Sequence, residues 1–147
     1  MALSGFSIRL QRGIRGGLKP PTPSLIRTIT KDPSESEIRI AGAIHKEGTP
    51  DLQQLPERSL SASSQEVQDL IAELHDSLTA LPTEDPSGSE DIYGLDISIA
   101  WHSADIQWRN GAPEGCIGGQ SDVQPSDEQR STFKRAVEIV EKLASRY

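Results

Sequence analysis

The chain of 147 residues carries 15 Lys+Arg against 22 Asp+Glu, a formal net charge of −7. Its length suits one domain spanning residues 1–147, and no apolar run approaches the ~20 residues that a membrane helix needs. A single Cys116 excludes an intramolecular disulfide and points to a reducing compartment, while the acidic balance disfavours nucleic acid and anionic membranes as ligands.

Charge is unevenly distributed along the chain. Arg9, Arg12, Arg15, Lys19, Arg27 and Lys31 stand in an opening segment that holds no acid, whereas residues 32–104 are strongly acidic. A basic, acid-free N-terminus is one mark of a mitochondrial presequence. Here Gly13, Gly16 and Gly17 followed by Pro20, Pro21 and Pro23 would break the amphipathic helix of such a signal. The favoured location is therefore cytoplasmic, with the presequence as the minority reading. A basic strand lying beside an acidic segment of the same chain explains the charge equally simply.

Phe6, Ile8 and Leu10 alternate with polar residues, the period of a strand with one buried face. A Gly- and Pro-rich break over 13–23 precedes a second strand over 25–30. Asp32-Pro33-Ser34 is turn chemistry, and Ile38 and Ile40 mark a third strand over 37–44. The polar stretch 45–62 reads as a surface loop. Val67, Leu70, Ile71, Leu74, Leu78 and Leu81 then follow a helical period, opened by a Ser63/Glu66 capping box and closed by Pro82.

Tyr93, Leu95, Ile97, Ile99 and Trp101 alternate as the strongest strand, 93–101. His102-Ser103-Ala104-Asp105 turns it back into a partner over 106–109. A loop over 111–124 surrounds Cys116. The last helix runs over 126–145 from a Ser126/Gln129 capping box, with Phe133, Ala136, Val137, Val140, Leu143 and Ala144 inward. Strands in runs predict an α+β fold: an antiparallel sheet of about four to five strands with both helices on one face. Trp101 and Trp108 are expected in its core.

Catalytic chemistry is hard to find. His45, His75 and His102 lack the close spacing of zinc ligands. Cys116 has no neighbouring base, and Asp122 stands where a phosphatase would carry Arg. Gly13-Ile14-Arg15-Gly16-Gly17 follows a strand, but prolines replace the helix N-terminus that would bind phosphate. No carboxylate stands in the apolar context that would raise its pKa. The reading is a chain with no catalytic residues, metal or cofactor.

Order and spacing carry a resemblance. Arg12-Gly13-Ile14-Arg15-Gly16-Gly17-Leu18 follows the first strand, a Leu-rich helix comes later, and Asp91-Ile92-Tyr93-Gly94-Leu95-Asp96-Ile97 precedes a hairpin and closing helix. This resembles the emfourin family of small protein inhibitors of protealysin, a thermolysin-like metalloprotease. The family's aromatic after Gly-Gly is Leu18 here, its next positions are Lys19 and Pro20, and residues 31–62 and 111–124 are longer loops or insertions.

The resemblance implies a monomeric inhibitor that occludes a thermolysin-like protease through Arg12, Gly13, Ile14, Arg15, Gly16, Gly17 and Leu18. The alternative is a non-catalytic interaction domain, or complex subunit, that holds an acidic partner by its basic N-terminal segment.

Overall fold

A computed structural model describes residues 5–14, 24–45, 52–85, 90–111 and 121–146. The described residues form β1 (Phe6–Arg12), β2 (Leu25–Lys31), β3 (Glu37–His45), β4 (Leu52–Gln54), β5 (Arg58–Ser61), α1 (Gln65–Thr79), β6 (Ile97–Ser103), β7 (Gln107–Arg109) and α2 (Asp127–Arg146). Every strand pairing is antiparallel, in the order β4-β3-β2-β1-β6-β7 with β5 also on β3. The α+β class is as expected from the sequence. Among the described residues the sheet has seven strands, where four or five were expected.

The alternation in β1 sets the layers. Phe6, Ile8 and Leu10 turn to the helices, and the register continues that face into both neighbours: Ile40, Ile29, Ile8, Trp101 and Trp108 form one cross-strand row. Val67, Leu70, Ile71, Leu74 and Leu78 of α1 close over this face together with Phe133, Ala136, Val137, Ile139, Val140 and Leu143 of α2. Each fully buried Leu or Ile in this layer contributes about 1.5–3 kcal/mol of apolar burial. Trp101 is buried; Trp108 is partly buried and packs on Phe133 at a centroid distance of 6.3 Å. The helices run antiparallel, because Glu73 pairs with Arg135 at 2.8 Å while Glu66 meets Lys142 at 4.0 Å.

Four local expectations are corrected. The polar stretch 45–62 is not only loop: β4 and β5 pair end to end along the outer edge of β3. Strand β6 starts at Ile97, because 91–96 folds into a turn. The Asp91 carboxylate accepts the Gly94 and Asp96 amides, and Gly94 and Asp96 take φ of 73° and 60°. The strand then runs on to Ser103, so the hairpin turn is tighter than expected; the Ser103 amide donates to the Ile106 carbonyl at 2.9 Å. The cap of α1 is Ser64, whose hydroxyl accepts the Val67 amide; Ser63 instead shares a hydrogen bond with Ser61. At α2 the capping box forms as expected, with Ser126 and Gln129 exchanging side chain-to-backbone bonds of 2.8 and 3.1 Å.

Candidate functional site

The glycine-rich segment leaves the sheet where β1 ends and returns where β2 begins. The Ser24 amide donates to the Arg12 carbonyl at 2.9 Å, which closes the base of the connection. At its root, Gly13 has φ of 88°, a left-handed conformation that costs glycine little. That geometry aims two successive amides at one residue. Gly13 N–H donates to the Asp96 carbonyl, and Ile14 N–H donates to Asp96 Oδ1, each at 2.9 Å. Gln11, almost wholly buried, donates from Nε2 to the Gly13 carbonyl at 3.2 Å.

Ile14 is 0% exposed, so it anchors the root instead of offering a surface contact. Its Cδ1 lies so close to Gly111 that a Cβ there would sit 2.9 Å away. Beside it, Asn110 continues the edge pairing of β6 with its side chain, accepting from the Ile99 amide at 2.8 Å and donating to the Ile97 carbonyl at 3.0 Å. Glu84 accepts the Gly111 amide at 2.8 Å. Four separate stretches of chain thus converge on the root of one loop.

Arg12 stays partly exposed on the helix side, where its Nε stands 3.7 Å from Glu141; Arg27 Nε stands 3.6 Å from the same carboxylate. Glu141 thus stands beside one arginine from each of the first two strands. Arg15, Gly16, Gly17 and Leu18 fall outside the described residues, as does Cys116. Of the seven residues named for partner binding, the described three therefore form the fixed base.

The sequence reading missed two polar groups. Glu84 is a buried carboxylate that the sequence reading did not single out. Burial and the nearby Glu84 push the Tyr93 phenol well above its ordinary range, and that hydroxyl donates to the Pro82 carbonyl. Tyr93 also stacks on Phe133 at 4.2 Å. The Gly111 contact that holds Glu84 is 27 residues away, so no local pattern announces it.

The second group is a chain of hydrogen bonds across the α1–hairpin seam. Trp101 Nε1–H donates to Ser103 Oγ, Ser103 donates to Asp105, and Asp105 Oδ2 lies 2.6 Å from His75 Nε2. His75 Nδ1 meets Asp76 at 3.0 Å. These are the residue types of a hydrolase triad in an unproductive order. The hydroxyl serves the carboxylate, and both imidazole nitrogens face carboxylates, so the hydroxyl has no base. His75 is held more basic than usual, first by the Asp76 bond and, against the opposing effect of burial, also by Asp105.

Among the described residues, no group of three His, Cys, Asp or Glu side chains could hold a metal ion, and no helix is long and apolar enough to cross a membrane. Comparison of the chain with protein-family models, with curated proteins and with solved structures returns no match.

Proposed function

We propose that this chain is a proteinaceous inhibitor of a thermolysin-like zinc metalloprotease, of the kind its resemblance to emfourins implies. The loop rising from Arg12 through Leu18 would occupy the protease cleft. One observation supports the reading above others: the two motifs that carry the resemblance, 82 residues apart, meet at the Asp96 bonds to Gly13 and Ile14. An inhibitory loop gains affinity when its conformation is fixed before binding, because less ordering entropy is lost on association. The buried Ile14 and the closed Arg12–Ser24 base provide such fixation at the root.

The alternative, capture of an acidic partner by the basic N-terminal segment, is weaker on electrostatic grounds. Glu141 already stands beside Arg12 and Arg27, so part of that positive charge is spent within the molecule. The test is a peptide-hydrolysis assay of a thermolysin-like protease with increasing amounts of the chain. Inhibition that a small active-site ligand of the protease competes away supports the proposal. Full protease activity in excess chain rejects it.

A further inference from the structure

The chain's single asparagine is followed by glycine, as Asn110-Gly111. Such a pair is prone to deamidation, because glycine has no side chain to screen its nitrogen from the asparagine amide. The fold holds every atom that the reaction needs. Asn110 is 1% exposed. Its Nδ2 donates to the Ile97 carbonyl at 3.0 Å, and its Oδ1 accepts the Ile99 amide at 2.8 Å. The Gly111 amide, which would be the nucleophile, donates to Glu84 Oε2 at 2.8 Å. That nitrogen attacks only after losing its proton, and a carboxylate on the hydrogen opposes the loss.

The restraint is local. Strand β7, three residues long, ends the described sheet, and the Asn110 amide extends it with a 3.3 Å bond to the Ile99 carbonyl. Elements with so few bonds open at a lower free energy than the core beside them.

We propose that Asn110-Gly111 is a deamidation site, silent in the folded chain and reactive whenever the β7 edge opens. In the open form water or hydroxide removes the Gly111 amide proton, and the nitrogen bonds to Asn110 Cγ. The Cγ–Nδ2 bond breaks and ammonia leaves, which gives a five-membered succinimide. Water then adds to one of the two ring carbonyls and opens the ring to aspartate or isoaspartate. Neither product fits the native site. Aspartate keeps an acceptor for the Ile99 amide but has no N–H for the Ile97 carbonyl, and it buries a charge one residue from the amide that Glu84 holds. Isoaspartate adds a carbon to the main chain ahead of Gly111, where a Cβ would already stand 2.9 Å from Ile14 Cδ1. Deamidation therefore unseats the loop root. The site stands on this geometry and does not depend on protease inhibition.

The test uses the full chain, held at mildly alkaline pH either folded or in urea above its unfolding midpoint. Mass spectrometry of the tryptic peptide that begins at Asn110 follows the exchange of amide for acid, and an isoaspartyl methyltransferase assay counts isoaspartate. Conversion should be at least about tenfold faster in urea, since modification in native buffer tracks the population of the open form. Chain deamidated in urea and returned to native buffer should unfold at a lower urea midpoint than chain briefly unfolded at neutral pH and refolded, or should fail to refold. Three results overturn the proposal: equal conversion in folded and unfolded chain, no conversion in urea, or an unchanged midpoint after deamidation.

Discussion

Asp96 accepts the Ile14 amide on its side chain and the Gly13 amide on its main chain, tying the exit of the first strand to the entry of the sixth. It does so from a φ of 60°, where an ordinary side chain is strained and Asn or Asp is tolerated. The Asp91 carboxylate in turn holds the Asp96 amide at 2.9 Å. The loop root is therefore built by a turn, not by a strand.

Asp96→Ala should destabilise the fold by about 1–3 kcal/mol, through an unsatisfied Ile14 amide and a poorer left-handed residue. Asp96→Asn keeps both an acceptor and the tolerated conformation and should cost much less. Urea unfolding of the two variants beside the wild type measures the difference. Equal losses would mean that the side-chain acceptor and tolerated φ shared by Asp and Asn do not hold the loop root.

The chain's periodicities located α1, α2 and the first three strands because each depends on neighbours in sequence. Ile8 alternates with Arg9 whatever lies beyond, and Leu70, Ile71 and Leu74 fall on one helix face by spacing alone. The strands β4 and β5 have three and four residues, mostly exposed, so alternation had nothing to register. Leu95 fits the strand pattern of its neighbours yet is 38% exposed, because Asp91 folds that stretch back on itself. The loop root was legible as a motif but not as a geometry: nothing near Ile14 announces Asp96 or Gly111. Ile14, read as part of a binding surface, is buried for that reason.

The His75 cluster predicts a pH dependence. Its folded pKa is raised, so its contribution to stability is complete below the unfolded value near ~6.5 and is lost as pH rises through the higher folded value. Asp105 is depressed, first by its bond from Ser103 and then by His75, so it stays ionised under mildly acidic conditions. The stability gap between wild type and His75→Gln should therefore be larger at about pH 5.5 than at about pH 8.5. Denaturation midpoints at both values check this. A gap independent of pH would show that the imidazolium–carboxylate contact contributes nothing.

Phe133 is wholly buried and stacks on Tyr93 while packing against Trp108. Phe133→Ala should cost about 3–5 kcal/mol by leaving a cavity between the last helix and the hairpin. The same change should shift Trp108 emission to longer wavelength as its packing loosens. Unfolding by denaturant, followed by fluorescence, reads both effects.

Cys116→Ser should leave inhibition unchanged, since the sequence around the thiol supplies no base or cation to activate it. A protease titration with the variant is the check. Loss of inhibition in a folded variant would return the thiol to the mechanism.

The most direct test of the inhibitor proposal is an affinity comparison on a thermolysin-like protease using wild type, Gly16→Trp and Gly118→Trp. The two substitutions place a bulky side chain in the Arg12–Leu18 segment or in the segment around Cys116. Wild type and Gly118→Trp are expected to inhibit alike, while Gly16→Trp binds at least about tenfold more weakly because a side chain now stands where main chain must approach the cleft. Unchanged affinity in Gly16→Trp, or no inhibition by the wild-type chain, would contradict the proposal.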